Sequence, residues 1–193
     1  MLRRLVPVLS AVALLSACAV LVPPPEQPVA RPLRNDISRF SLSGRVAVRN
    51  GEESLSANIE WRHGGDGTDR ILLTSPLGQG LAELNADAAG AHLETADRQS
   101  FSAADLEGLS EQVFGAALPL SSLPRWVVGQ VWNAVEALQI DGRGRPQSFL
   151  DRGWRVAYLH YEADTADALP TFIQLRRDDL DVKLRIDQWN LAP

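Results

Sequence analysis

Beyond Cys18 the sequence has no cysteine. That excludes a disulfide framework, a thiolate-held metal and a cysteine nucleophile from everything downstream. Lysine is almost missing as well: Lys183 is the sole example, so nearly all positive charge is arginine, a bias that reads as genome composition. There is no basic excess, because 24 acidic residues face 19 basic ones for a net charge of −5. Nucleic-acid binding rests on a basic footprint, so an acidic chain argues against such a partner. The motifs of common chemistries are absent too. No Gly-x-Ser-x-Gly elbow and no Walker loop occurs, and Gly64, Gly65 and Gly67 are not followed by a helix pattern or by Gly-Lys-Ser/Thr. His63, His92 and His160 stand far apart, without metal-ligand spacing. Paired carboxylates such as Glu52-Glu53 and Asp178-Asp179 fall in polar turns, where a solvated face explains them. The reading is no catalytic residue, no metal and no cofactor, which lowers the weight of an enzyme without abolishing it.

What the sequence does have begins at the N-terminus. Arg3 and Arg4 precede an apolar run, Leu5 to Leu15, that is too short for a bilayer span of ~20 residues. It ends in Leu15-Ser16-Ala17-Cys18, which resembles the bacterial lipoprotein signal. Residues 1–17 are then a signal peptide, and Cys18 becomes the acylated first residue and lipid anchor. Several acyl chains on one residue hold a protein durably, where one holds it marginally. Ala19 follows the cysteine, and the lack of aspartate there implies export to the outer membrane. Without Arg3 and Arg4 the mature balance is 17 against 24, or −7. From Cys18 to Asn35, Pro23, Pro24, Pro25, Pro28 and Pro32 favour an extended tether at ~3.1 Å per residue, about 50 Å in all. Residues 36–193 suit one domain able to bury a sizeable core.

The stretch Ile71 to Leu84 organises that domain. An aliphatic run, Ile71-Leu72-Leu73-Thr74, meets Ser75-Pro76-Leu77-Gly78 before Gln79 to Leu84 returns. Pro76 removes a ladder donor and Gly78 tolerates positive φ, so Leu77 falls at the tip of a turn. Either it folds back onto the sheet or it stays exposed to enter a lipid surface.

Alternation continues on both sides. Phe40, Leu42, Val46 and Val48 alternate with polar residues, Asn50-Gly51 turns the chain, and Leu55 to Trp61 returns. Ala91 to Thr95 is a further strand. Ser102-Ala103-Ala104-Asp105 resembles a capping box before Leu106, Leu109 and Val113 at helical spacing, with Gly115 as the stop. A second short helix has Ser121 or Ser122 as its cap, Pro124 in its first turn and Gly129 at its end. Strands resume around Leu138–Ile140, Ser148–Leu150, Trp154–Tyr158, Thr171–Leu175 and Val182–Ile186. Roughly nine to eleven short strands with one pair of helices between them predict a mainly β protein, an antiparallel curved sheet or open barrel. The five tryptophans read first as core, given the area each buries.

Several of these pieces together resemble the outer-membrane lipoprotein receptor LolB family. They are Phe40-x-Leu42-x-Gly44-Arg45, the strand ending in Trp61, Leu73-Thr74-Ser75-Pro76-Leu77-Gly78 and Leu118-Pro119-Leu120. Leu123-x-x-Trp126-x-x-Gly129, Gly153-Trp154-x-Val156-x-Tyr158 and Ile186-x-x-Trp189 complete the set, in the family's order. The resemblance implies an incomplete β-barrel with a lid of short helices over an apolar cavity. It also implies the role: a monomer that accepts acylated lipoproteins from the periplasmic chaperone LolA and releases them into outer-membrane lipid. Leu77 matches the family's exposed membrane-facing leucine. The N-terminal helix usual in the family is abbreviated here, around Asn35 to Phe40. Alternation then assigns Val46, Val48, Ile59, Trp61 and Leu73 to the cavity's inner face. Leu109, Val113, Trp126 and Val127 cover it from the helices. Two rivals make other demands. A protein-only scaffold or assembly lipoprotein would lack a lipid-sized cavity, and an anchored hydrolase would need a polar constellation in a cleft.

Overall fold

A computed structural model describes residues 33–115, 118–132 and 134–191. The signal peptide, Cys18 and the tether up to Pro32 lie outside the described residues. Eleven strands form one antiparallel sheet: β1 Phe40–Asn50, β2 Glu53–His63, β3 Asp69–Thr74, β4 Gly80–Asp87, β5 Gly90–Thr95, β6 Ser100–Ala103, β7 Glu136–Ile140, β8 Pro146–Asp151, β9 Trp154–Tyr161, β10 Pro170–Arg177 and β11 Leu180–Asn190. Their order is β6-β5-β4-β3-β2-β1-β11-β10-β9-β8-β7, two meanders joined where the first strand pairs with the last. The sheet does not close, because β6 and β7 are its two edges. Helices α1 (Leu106–Phe114) and α2 (Leu123–Val127) occupy the connection between those edges.

Strand alternation sets what faces inward. Leu42, Trp61, Ile71, Leu84, Leu93 and Phe101 stand in one register row across six strands. On the other meander Val156, Tyr158, Ile173, Leu175, Leu184 and Ile186 supply the buried positions. The seam between β1 and β11 carries a register shift at Ser43/Gly44. A Cβ on Gly44 would lie 2.0 Å from the Arg185 carbonyl oxygen, so only glycine lets the two backbones approach.

The helices differ from expectation at their starts. The cap of α1 is Asp105, whose carboxylate accepts the Gly108 amide at 2.7 Å. Ser102 instead belongs to β6, a strand whose alternation in Ser100-Phe101-Ser102-Ala103 is too short to announce it. Gly115 ends α1 in the left-handed conformation at φ 67°. Ser122 precedes α2 without a side-chain capping bond, and Pro124 sits in the first turn as expected. The N-terminal helical turn is a single 3-10 turn at Arg34–Asp36, and Phe40 already opens β1. Gln130 Nε2 donates to the carbonyls of Arg34 and Ile37 at 2.8 and 2.9 Å, tying this turn to the segment after α2.

Candidate functional site

The interior divides into a closed half and a hollow half. Toward the ends of the sheet where β1 starts and β11 finishes, aromatic rings fill the space. Phe40 meets Trp61 edge-on at 5.2 Å and Trp189 at 5.5 Å, and Trp126 meets Phe149 at 6.1 Å. The Trp61 indole N–H donates to buried Asp69 at 2.7 Å, and His63 Nδ1 lies 2.8 Å from the same carboxylate oxygen. The Tyr158 hydroxyl donates to the Trp126 carbonyl at 2.8 Å, which fixes α2 to β9. Burial pushes the Tyr158 phenol well above its ordinary range, so it remains a donor.

Toward the turns that join β1 to β2, β3 to β4 and β10 to β11, the interior is aliphatic and incompletely filled. A cavity of about 150 Å³ lies there between sheet and helices. Its walls include Val46, Val48, Leu55, Ile59, Ile71, Leu73, Leu84, Leu175 and Val182 from the strands. Leu109 and Val113 of α1 and Leu118, Pro119, Leu120 and Leu123 of the following segment close it from above. The polar group in the wall, the Ser110 hydroxyl, donates to the Glu107 carbonyl and accepts the Leu118 amide, both within the lid. The wall therefore offers no free hydrogen-bond partner to a water, and a cavity of this kind stays dry. Larger hollows on the outside, such as one of about 720 Å³ around Arg62, His63, Asp69 and Arg70, have mixed polar linings unsuited to an apolar guest.

Six of the nine residues assigned to the cavity from sequence line it: Val46, Val48, Ile59, Leu73, Leu109 and Val113. Trp61, Trp126 and Val127 do not, and correct the assignment. Each is buried to 2–3% exposure in the aromatic half. Alternation gives the face on which a side chain sits, but not its position along the barrel axis. Missed were Leu55, Ile71 and Trp154, the walls from β4, β5, β10 and β11, and the Leu118–Leu120 stretch with Leu123. The same period-2 alternation in Ala82/Leu84 and Val182/Leu184 was the signal that could have found them.

Leu77 lies at the same end of the sheet, on the β3–β4 turn. Gly78 N–H donates to the Ser75 carbonyl at 2.8 Å and Gly78 takes φ 83°, closing a tight turn with Pro76 and Leu77 at its tip. Leu77 is 90% exposed, so it does not fold back onto the sheet. The Ser75 hydroxyl accepts the Gln79 amide and Asn58 Nδ2 donates to the Ser75 carbonyl at 3.0 Å, so the turn is held firmly from below.

Among the described residues no group of three His, Cys, Asp or Glu is placed to hold a metal, and no helix is long and apolar enough to cross a membrane.

Among solved structures, a DUF1329 family protein from Desulfovibrio piger superposes with a TM-score of 0.51 at 8% identity, covering 82% of this chain and 88% of its own, a likeness of fold alone. Among curated proteins, the outer-membrane lipoprotein LolB of Azoarcus sp. (strain BH72) is 40% identical over 191 residues, 98% of this chain and 97% of its own length. That of Thiobacillus denitrificans is 36% identical over 193 residues, the whole of both chains. The family model for outer membrane lipoprotein LolB matches residues 38–189, from the entry into β1 to the end of β11. By its sheet, its dry cavity and this match over most of its length, the chain belongs to the outer membrane lipoprotein LolB family.

Proposed function

We propose that the chain is a lipid-anchored receiver at the periplasmic face of the outer membrane, which accepts acylated lipoproteins from the chaperone LolA and inserts them into the bilayer. The observation that carries this reading is the dry aliphatic cavity opening at the end of the sheet that also bears exposed Leu77. An acyl chain of about fifteen methylenes costs roughly 12 kcal/mol to expose to water, so it has to pass from one apolar shelter to the next. A bilayer is the final sink, and each handover can run downhill in affinity without a nucleotide or a catalytic group. We read the protein as non-enzymatic on that ground, and as a receiver that works as a single copy.

A cavity near 150 Å³ suits a guest of about benzene size. This form therefore shelters only part of an acyl chain, and Leu109 and Val113 of α1 with Leu118, Leu120 and Leu123 have to move outward for the rest to enter. Residues 1–17 act as the signal, 18–35 as anchor and tether, and the remainder as the binding body. In this reading Cys18 carries the acyl anchor and Leu77 enters lipid. The test is transfer: the purified chain is mixed with LolA carrying a labelled lipoprotein, then with liposomes. Label should pass from LolA to the chain and onward to lipid. Label that stays on LolA would overturn the proposal. Radioactive palmitate should mark the parent and not Cys18→Ala, and label kept by that variant would place the anchor elsewhere.

A further inference from the structure

The outer face of the sheet beside the Leu77 turn carries a concentration of positive charge within an acidic chain. Arg45 of β1 stands directly across from Arg185 of β11, and Lys183 precedes Arg185 by two residues on the same strand. Like charges placed opposite each other on neighbouring strands cost stability. Arg45 and Arg185 share one carboxylate, Asp187, at 3.5 and 3.8 Å. Lys183 forms no ion pair among the described residues. Farther along β1, Arg49 shares buried Asp181 with Arg176, so the excess continues. Arg45, Lys183 and Arg185, but not Arg49 or Arg176, border a groove of about 640 Å³ whose walls also include Phe172, Asn58 and Pro76. Pro76 neighbours Leu77 in the turn. Arg45 also pairs with Asn58, which pairs with Thr74 at the base of that turn, so patch and tip share one register row.

Asn58 supplies the link, because its amide holds the Ser75 carbonyl of the turn while its strand borders the groove. Packing does not explain the cations, since the side chains of Arg45 and Arg185 are 62% and 63% exposed. An anionic group set in the groove would relieve their mutual repulsion. We propose that the groove seats the headgroup of an anionic phospholipid, through its uncompensated negative charge, when the Leu77 turn meets the bilayer. The acidic turns at Glu52-Glu53 and Asp178-Asp179 lie at the far ends of β1 and β10, past Arg49 and Arg176. These turns share the Leu77 end of the sheet but do not line the groove, so a headgroup seated there meets the cations first. The body leans on the membrane by one flank of its mouth.

The inference rests on the reading of Leu77 as the residue that enters lipid, and the test separates the two. Vesicles of phosphatidylcholine alone, and of phosphatidylcholine mixed with phosphatidylglycerol, are titrated with the chain from residue 18 carrying Cys18→Ser. The parent should bind the phosphatidylglycerol vesicles more tightly, with a preference that weakens as salt is added. Arg45→Gln/Lys183→Gln/Arg185→Gln should lose that preference, by roughly fivefold for each cation removed, and keep its binding to phosphatidylcholine. Arg39→Gln/Arg62→Gln/Arg70→Gln changes net charge equally at the other end of the sheet and should keep the preference. Thermal melts verify that all variants are folded. Equal loss in both triple variants, a preference retained by the first, or no preference in the parent would each overturn the groove. Leu77→Glu with undiminished binding to phosphatidylcholine would instead defeat the reading on which it rests.

Discussion

Two halves of one interior, built on the same eleven strands, use different side chains for different ends. The half around Phe40, Trp61, Trp126 and Phe149 is aromatic, closed and bonded through Asp69 and the Tyr158 hydroxyl. The half around Val46, Ile59, Leu73 and Val113 is aliphatic and leaves about 150 Å³ empty. Rings with a polar handle lock into single arrangements when that handle is satisfied. Aliphatic walls without hydrogen bonds can part and meet again at little polar cost. The first half holds the shape; the second can change occupant.

Substitutions that exchange these characters test the division. The largest effect on stability belongs to Trp61→Ala, which removes a 3%-exposed ring and the indole donor to Asp69. A loss of about 3–5 kcal/mol is expected, read by urea titration or as a melting point lower by roughly 10 °C. A loss of about 1 kcal/mol or less would mean the floor is not what holds the barrel. Val46→Trp places a ring in the hollow half and should cost only about 1–3 kcal/mol, since much of its volume meets empty space. Circular dichroism should show a native fold while acceptance of lipoprotein from LolA fails. Normal acceptance by the folded variant would show that the guest lies elsewhere.

Leu77→Glu should be nearly silent in a melt, within about 0.5 kcal/mol, because a 90%-exposed side chain has little packing to lose. Cargo should still bind, yet delivery to liposomes should stall, since a carboxylate enters a bilayer at high cost. Leu77→Phe should keep delivery. A large drop in melting temperature would return Leu77 to a packing role.

The smallest effect is that of acid on the loops beside the aromatic half. Arg143 donates to Asp164 and holds that carboxyl below its usual range, while Arg145 binds Asp141 at 2.7 Å and the Ala163 carbonyl at 2.7 Å. A depressed carboxyl stabilises the fold above its unfolded value, roughly pH 4, and that contribution fades as pH falls toward the lowered value. Amide exchange should quicken first in residues 162–169, with the cavity walls unaffected. Faster exchange at Val46 or Leu73 at the same pH would contradict it.

Much of the sheet was legible because period-2 alternation is unambiguous where one face is buried, as in Val182, Leu184 and Ile186. The turn at Pro76-Leu77-Gly78 was legible from backbone chemistry alone. Strand β6 was not, since its alternation spans only four residues, with Phe101 and Ala103 as its two apolar positions, and its pairing with β5 is supplied by long-range context. The cavity was half legible: faces follow from parity, but whether a residue lies in floor or hollow depends on which rings arrive from distant strands. Phe40 closes on Trp61 and Trp189 closes on Phe40, strands far apart in the sequence, and nothing local to Trp61 announces them.

That meeting of chain ends has a kinetic consequence. Arg45 and Asp187, 142 residues apart, meet side chain to side chain across the β1–β11 seam at the centre of the sheet rather than at its edge. During export the chain's first strand is made early and has to wait for its last. Until β11 arrives, β1 and β10 each show a bare row of amides and carbonyls, the condition in which strands recruit the wrong partner. Contacts that span nearly a whole domain close slowly. The β1–β11 seam therefore works as a final fastening, and a chain cut short of residue 180 would remain two sticky meanders rather than a weakened barrel.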